Sequence, residues 1–379
     1  MMQCRYDALS QSIGGYAQTH IPLILDNGKE LVPAVTADDI GIYCLIPKMC
    51  YHFGLSLDSA ILWFFNFITF GSLAFGLFGF FLLYRSWIAR IISWSGLLFA
   101  SLIVCKYGFT DVYRAASIML AIIPLSLYFL HKNTQSKWLP TFLFCTGMAA
   151  GFFNYIRGHS GTTALVFVLG LLLLNSAFAW RKKAWLCLFV AGGFVLPIIY
   201  FNHQYHLYKT YAQSHFPHQN LDSGVHVFWH QIYIGLGYLQ NPYGFAYDDN
   251  VAIAKVHELN AKIAYPSKES EHLLANELMH FTQQHPFFVI ATVGAKMGIL
   301  FLFFILYANI GIFAALWRRK RTIIDEAFFL LLLISALPGI LAIPSEQYSL
   351  AFIATAILFN IITVVSFFKH DTPSKGCHE

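Results

Sequence analysis

The sequence predicts an all-α integral membrane protein, a polytopic bundle of about nine transmembrane helices with a helical extracytoplasmic loop region. Its mean hydropathy is +0.58, and only 11% of its 379 residues are charged, against about 25% in soluble domains. Several segments reach or approach the ~20 apolar residues that a spanning helix needs. The formal charge of +5 is explained better by membrane topology than by nucleic-acid binding.

The predicted spans are separated by short polar connections, except for one long loop before the seventh. They lie at 61–84, 91–105, 115–130, 139–156, 163–180, 184–201, 287–316, 327–343 and 348–368. The second and third are short and need flanking residues to complete them.

These spans divide the chain into four parts. They are an extracytoplasmic first loop with interfacial helices (1–60), a six-helix module (61–201), a large extracytoplasmic loop (202–286), and three C-terminal helices with a cytoplasmic tail (287–379).

Basic residues set the orientation of these spans, because Lys and Arg concentrate in cytoplasmic loops. Alternate connections and the tail hold 13 of the 24 Lys and Arg residues, whereas the opposite short loops hold three. The tail is therefore predicted to be cytoplasmic, and residues 1–60 and 202–286 to be outside. No apolar helix precedes residues 1–60, although they must cross the membrane. We expect a first helix to be missing upstream, and translocation of the N-terminal segment by the span at 61–84 is the alternative.

The first outer loop contains an adjacent acidic pair, Asp38 and Asp39, in the apolar stretch "PAVTADDIGIYCLIP". Adjacent like charges raise each other's proton affinity, which suits a general base or a metal ligand. The alternative is a helix cap, in which Thr36 or Asp38 caps a short helix through Tyr43. The apolar flanks predict that this helix lies at the membrane surface.

Three further positions carry candidate chemistry. Asp111 in "TDVYR" is either a catalytic acid or the N-cap of the following span. Arg157 and His159 in "YIRGHSGT" could hold a phosphate, because arginine binds phosphate oxygens bidentately and glycine lets backbone N–H groups approach an anion; a tight turn is the alternative. Lys296 interrupts an apolar run, where a charge indicates either contact with a lipid phosphate or acid, or snorkelling.

The large loop holds ten of the 16 histidines, but aromatic residues interleave them and no HExxH pattern occurs. We interpret them as interfacial histidines rather than metal ligands. Asp248 and Asp249 indicate a helix N-cap, and Ser267 caps a second amphipathic helix. The glycines at 71, 76, 79, 192 and 193 predict close helix packing. The seven cysteines form no CxxC motif.

The stretch "RYDALSQSIGG" (Arg5–Gly15), followed by "LVP" (Leu31–Pro33), resembles the first outer loop of one bacterial branch of the GT-C glycosyltransferases. That branch is related to protein mannosyltransferases and to the aminoarabinose transferase of lipid A. Its acid usually stands just before the Arg-Tyr pair. Here Met2, Gln3 and Cys4 stand there and Asp7 follows, which adds Asp7 to the candidate bases.

The resemblance implies an integral-membrane glycosyltransferase, in the bacterial inner membrane with its active site facing the exterior. Its donor would be a polyprenyl-phosphate sugar and its acceptor an extracytoplasmic lipid, glycan or protein, with no nucleic acid as partner. Asp7, Asp38, Asp39 and Asp111 are the candidate catalytic acids. Arg157, His159 and Lys296 are the candidate donor-phosphate residues. Any divalent metal, Mg²⁺ or Mn²⁺, would bind Asp38, Asp39 or Asp111.

Other functions fit parts of the pattern. A lipid or glycan transporter, or flippase, should show inverted repeats and charges at the membrane midplane, whereas Lys296 is the one charge inside a predicted span. A polysaccharide polymerase or ligase should carry several arginines in its long outer loop, and none lies between Asn202 and His285. An inactive truncated homologue is a further alternative. No P-loop or Rossmann fingerprint occurs, which favours a lipid-linked donor over a sugar nucleotide.

Overall fold

A computed structural model describes residues 3–34, 39–217, 227–318 and 321–370. It confirms the prediction of an all-α polytopic membrane bundle. Fourteen helices, which we number α1 to α14, account for nearly all the regular structure of the described residues, and a short 3-10 helix (Leu236–Tyr238) and one two-stranded hairpin complete it.

Eight helices of the described residues are long and apolar enough to span a membrane. They are α3 (Leu57–Leu83), α4 (Trp87–Gly108), α5 (Val112–Lys132), α6 (Leu139–Ile156), α8 (Trp180–His215), α12 (Pro286–Arg318), α13 (Ile323–Leu341) and α14 (Leu350–His370, its spanning part ending at Phe368).

The segment predicted as the span at 163–180 is a shorter apolar helix, α7 (Ser160–Leu174). It has 15 residues, or about 22 Å of helix, which is less than the ~30 Å hydrocarbon core. It lies inside the bundle against α5, α6 and α13, so its neighbours rather than lipid surround most of it.

Glycines let some of these helices approach at backbone distance. A Cβ at Gly76 or Gly193 would lie 2.2 or 2.0 Å from a backbone carbonyl oxygen of the neighbouring helix, and Gly79 is similarly tight. The prediction of close packing is confirmed there. It is wrong for Gly71, where a Cβ would meet nothing within 4 Å, and for Gly192, where it would make only ordinary contact with the Phe144 ring.

Residues 3–34 and 39–53 form a small layer at one end of the bundle. This layer contains α1 (Gln3–Thr19), an antiparallel hairpin of β1 (Ile24–Asp26) and β2 (Leu31–Pro33), and α2 (Ile40–Phe53). Leu9, Ile24 and Ile42 are fully buried in the main hydrophobic core. The layer is therefore fixed to the bundle by apolar burial and forms one wall of the cavity described below.

The large loop begins as helix, which corrects the predicted boundary at 202. Helix α8 has 36 residues, about 54 Å, and continues to His215. Helices α9 (Phe228–Gly235), α10 (Asp249–Leu259) and α11 (Lys268–Gln284) follow and share a second hydrophobic core.

The predicted caps in this loop are confirmed. Asp248 accepts a hydrogen bond from the Asn250 N–H, and Ser267 forms a capping box with Ser270. The apolar stripe of α11 is also confirmed, because Leu274 and Leu278 are buried in the second core.

Candidate functional site

A cavity of about 930 Å³ opens at the end of the bundle where the layer of residues 3–34 and 39–53 meets the described part of the large loop. Its walls come from parts of the chain that are distant in sequence. They are the first layer, the turn between α6 and α7, the α9–α10 region, and the connection between α13 and α14. This volume is in the range of small-molecule binding sites.

Four charged side chains meet beside the cavity, and three of them, Arg5, Asp39 and Arg157, line it. Arg5 lies between two carboxylates, with Nη2 3.1 Å from Asp39 Oδ2 and Nη1 3.2 Å from Asp111 Oδ2. Arg157 Nη1 lies 3.5 Å from Asp39 Oδ1. The carboxylates are 2% and 5% exposed and the arginines 16% and 21%. The buried carboxylates are thus neutralised by cations that face the cavity.

Asp39 stands at the N-cap of α2 in the left-handed conformation, with φ of 62°, and makes no side-chain capping bond. Asp tolerates this conformation better than most residues. The carboxylate is turned instead toward Arg5 and Arg157. At this residue, charge pairing and not helix capping accounts for the acid. Asp38 and Thr36, the predicted caps, lie outside the described residues.

Gly41 explains how α2 comes so close to Arg157. A Cβ at Gly41 would lie 2.6 Å from the backbone oxygen of Tyr155, near the end of α6. Any larger residue must therefore push α2 away from the turn that carries Arg157. Glycine here lets the two segments touch through their backbones.

We expect Gly41→Ala to destabilise the protein by about 1–3 kcal/mol through overpacking and to lower any activity of the cavity. The control is Gly71→Ala in α3, where the added methyl group meets nothing and alanine favours helix. Thermal unfolding in lipid nanodiscs checks both. Equal unfolding temperatures for the two variants would contradict the close approach.

Asp111 is the N-cap that the sequence offered as one of its two roles, and the other role, that of a catalytic acid, stays a prediction. Its carboxylate accepts a hydrogen bond of 2.7 Å from the Val112 N–H at the N-terminus of α5, and it pairs with Arg5. It does not line the cavity. It therefore supports Arg5 from behind, whereas Asp39 and Arg157 face the open space.

Aromatic rings surround the arginines. The Tyr113 ring lies 4.9 Å from the Arg157 guanidinium and 5.9 Å from that of Arg5, and the Tyr348 ring lies 5.6 Å from Arg157. Such cation–π contacts hold a guanidinium in place and leave its N–H groups able to donate. Burial raises the pKa of Tyr348 to about 12, so its hydroxyl stays protonated at neutral pH.

The turn "YIRGHSGT" begins α7 at the edge of the cavity, as its predicted role requires. Arg157, His159 and Thr162 all line the cavity. The backbone N–H of Thr162 is already bonded to Asn154 Oδ1, and that of Ser160 to the Arg157 carbonyl oxygen. The guanidinium of Arg157 is therefore a better anion partner than the backbone of this turn.

Two predicted site residues are not part of this cluster. Asp7 is exposed on α1 and accepts a hydrogen bond from Gln3. Lys296 is 2% exposed on α12, and its Nζ donates to the carbonyl oxygens of Ile340 and Leu341 at the end of α13. Neither residue lines the cavity, and their catalytic and donor-binding roles stay predictions.

The arrangement of the acids does not fit a metal ion. The space between the Asp39 and Asp111 carboxylates holds the Arg5 guanidinium, and a divalent cation between them would have to displace it. Among the described residues, no group of three or more His, Cys, Asp or Glu side chains could hold a metal. A metal ion therefore finds no support at Asp39 and Asp111, and because Asp38 lies outside the described residues, the predicted Mg²⁺ or Mn²⁺ stays a prediction.

The sequence interpretation missed several residues of the cavity. Arg5 belonged to the quoted motif but was not selected, and Tyr113 and Tyr348 carried no signal because tyrosine is common in this chain. His230, Asp249 and Tyr265 of the large loop also line the cavity. His230 is one of the loop histidines that the sequence predicts to be interfacial, and only packing distinguishes it from the others.

Comparison with models of protein families, with curated proteins and with solved structures finds no match for this chain. The function must therefore be argued from the residues that face the cavity.

Proposed function

We propose that this protein is an integral-membrane glycosyltransferase that moves a sugar from a polyprenyl-phosphate carrier to an acceptor outside the cytoplasm. The observation that carries the proposal is the pair of Arg157 and Asp39, a guanidinium beside a buried carboxylate, facing one large cavity at the end of spanning helices. In this proposal the protein lies in the bacterial inner membrane, and its cavity faces the exterior.

The arginines suit a phosphate ester. Burial lowers the pKa of Arg5 while Asp39 and Asp111 raise it, and the net shift is upward, so Arg5 remains a cation. Arg157 has the planar fork of donors that matches phosphate oxygens. Stabilising the charge that develops on a departing phosphate is a large contribution to catalysis in group transfer.

The apolar part of the cavity lining suits a lipid carrier. Ile334, Leu337 and Leu341 of α13 and Leu350 of α14 line the cavity, and both helices qualify as spans. A prenyl chain can therefore lie against apolar side chains at membrane depth while its phosphate reaches Arg157. A sugar nucleotide has no apolar part that would use these contacts.

Asp39 is the proposed general base. When a donor phosphate binds Arg157, it competes with Asp39 for the guanidinium, and the carboxylate becomes a better proton acceptor. The acceptor oxygen then forms a bond to the anomeric carbon as the bond from that carbon to the phosphate oxygen breaks. The hydroxyl proton goes to Asp39, and the polyprenyl phosphate leaves with the electron pair of the broken bond.

We expect Arg157→Ala to raise the KM for the lipid-phosphate donor by roughly 10–100-fold, the effect of losing a charge-assisted bidentate contact. Arg157→Lys keeps the charge but lacks the planar fork of donors, so its donor KM should lie between those of the wild type and Arg157→Ala. Arg85→Ala is the matched control, because Arg85 is exposed and does not line the cavity. A donor KM that is unchanged in Arg157→Ala would contradict the assignment.

The proposed function is tested on the purified protein in lipid nanodiscs with synthetic polyprenyl-phosphate hexoses and pentoses. We expect release of free polyprenyl phosphate that depends on an added acceptor extract from the cell envelope. Sugar nucleotides alone should give no product. Transfer from a sugar nucleotide without lipid would refute the mechanism, and movement of the intact lipid across the bilayer without cleavage would identify a transporter.

A glycan comparison between a wild-type and a deletion strain gives the biological test. We expect the deletion strain to lack one sugar substituent of an envelope glycan, lipid or protein, and a plasmid copy of the gene to restore it. Identical envelope glycans in the two strains would count against the proposal.

A further inference from the structure

The wall of the cavity that the large loop contributes holds a second polar cluster, which the proposed reaction leaves unused. His230 of α9 is 3% exposed. Its Nε2 lies 2.9 Å from Asp249 Oδ1, and its Nδ1 is hydrogen bonded to the Tyr265 hydroxyl. All three residues line the cavity, and all three come from the large loop.

The backbone of this cluster is fixed from behind. Glu271 of α11 is buried, and its two carboxylate oxygens accept from the N–H groups of Trp229 and His230 at the start of α9. Asp249 is the first residue of α10, whose cap is Asp248. Three helices therefore hold one imidazole in place, which is more than an interfacial histidine needs.

The hydrogen bonds determine which atoms remain for a ligand. The hydrogen bond from His230 lowers the pKa of Asp249, so Asp249 is a carboxylate and Nε2 must carry a proton. A neutral imidazole then has a bare Nδ1, which accepts the Tyr265 O–H. Burial raises the pKa of Tyr265, so it stays a phenol. Its only proton is used, and its oxygen offers lone pairs.

Hydrogen-bond acceptors therefore dominate this wall. They are the Tyr265 oxygen, the carboxylate of Asp249, and the amide of Gln231, whose buried Oε1 has no hydrogen-bond partner in the described structure. The charged side chains that the large loop contributes around this cluster, Asp248, Asp249 and Glu271, are all acidic. A ligand must therefore bring donors and must not bring a negative charge.

Rings stand beside these acceptors. Tyr247 and Phe228 line the cavity and are 36% and 39% exposed, and the Tyr247 ring contacts that of Tyr348, which adjoins Arg157. A saccharide has an apolar C–H face for a ring and a rim of hydroxyl donors for the acceptors. The array of tyrosines joins this wall to the phosphate end of the same cavity.

We propose that this wall is a saccharide-binding subsite, which accepts a neutral or amine-bearing sugar through the Tyr265 oxygen and rejects an acidic sugar. His230 and Asp249 are positioning residues, because they orient the Tyr265 hydroxyl. In the proposed function, this subsite binds the acceptor, which is then a sugar of a glycan or glycolipid. The inference rests on the proposed function only for this acceptor role.

The test is saturation-transfer NMR on the full chain in nanodiscs, without donor, using the methyl glycosides of glucose, N-acetylglucosamine, glucosamine and glucuronic acid. We expect binding of at least one of the first three and none of the glucuronide. Tyr265→Phe should weaken binding roughly tenfold, the effect of removing one partner of a buried hydrogen bond. Tyr243→Phe is the control, because Tyr243 is exposed and outside the cavity.

His230 is tested by two substitutions and a spectroscopic signature. His230→Asn leaves a side-chain oxygen near the position of Nδ1 and should retain part of the sugar affinity, whereas His230→Phe should lose it. Imidazole ¹⁵N shifts, with His230→Asn to assign them, should show the Nε2–H tautomer. An imidazolium at neutral pH would overturn the proposal, because Tyr265 would then be free to donate.

Binding and turnover separate this inference from the proposed function. Three results would overturn the subsite. They are glucuronide binding as tight as that of the neutral sugars, no binding of any glycoside, and full affinity in Tyr265→Phe with an unchanged unfolding temperature. None of these results would contradict cleavage of the donor by the proposed transferase. Sugar binding without any donor cleavage would support the subsite and contradict the proposed transferase function.

Discussion

Asp39→Asn is expected to lower the rate of sugar transfer by ~10²–10⁴-fold, the usual effect of losing a general base. Asparagine has nearly the same shape as aspartate and tolerates the left-handed conformation that residue 39 adopts. The substitution therefore removes the charge and the proton-accepting oxygen with little change in backbone. We expect the KM for the donor to change less than kcat, because Arg157 still faces the cavity.

The measurement is release of polyprenyl phosphate by purified variants at equal protein abundance. Glu30→Gln is the control, because Glu30 is an exposed acid of the same layer. Full activity of Asp39→Asn at normal abundance would show that the carboxylate is structural. Asp7, Asp38 and Asp111, each replaced by asparagine in turn, would then be the remaining candidates for the base.

Much of the fold could be predicted from the sequence because a bilayer demands long apolar helices whose backbone groups are satisfied internally. Hydropathy therefore located eight spanning helices. It did not reveal that α7 is short, since a helix buried by protein and one surrounded by lipid have the same apolar composition. Nor did it show that α8 continues to His215, because the polar end of a long helix resembles the start of a loop.

The candidate site was predictable where a charge stood out against apolar surroundings. This holds for Asp39, whereas Asp111 and Arg157 are predicted from their places in short outer loops, and the fold brings all three to one cluster. Arg5 was not selected, because its importance comes from two carboxylates that are 34 and 106 residues away in sequence. A single sequence gives no information on such distances.

The same limit explains Lys296 and His230. Lys296 was identified as a charge inside a span, which is correct, but its partners are the carbonyl groups at the end of α13. Any helix end can supply those groups, so no sequence motif marks them. His230 differs from the other histidines of the large loop through Asp249, Tyr265 and Glu271, and their contact depends on how three helices pack.

Arg5→Met is expected to destabilise the protein by about 3–5 kcal/mol, the usual cost of leaving a buried charge without its partner. Methionine fills a similar apolar volume but removes the cation that stands between Asp39 and Asp111. Both carboxylates are nearly inaccessible to water, so solvent cannot replace the guanidinium. Arg157 still pairs with Asp39, which leaves Asp111 as the acid with the larger loss.

The size of this effect is measured by unfolding in mixed micelles, and a second variant tests its cause. Arg5→Met combined with Asp111→Asn removes one uncompensated charge and keeps the cap of α5, because asparagine caps as well as aspartate. The double variant should therefore be more stable than Arg5→Met alone, by a coupling of about 0.5–3 kcal/mol. If the losses of stability in the single variants add up in the double variant, Arg5 contributes through packing alone. Charge pairing would then not be what holds these residues together at the cavity.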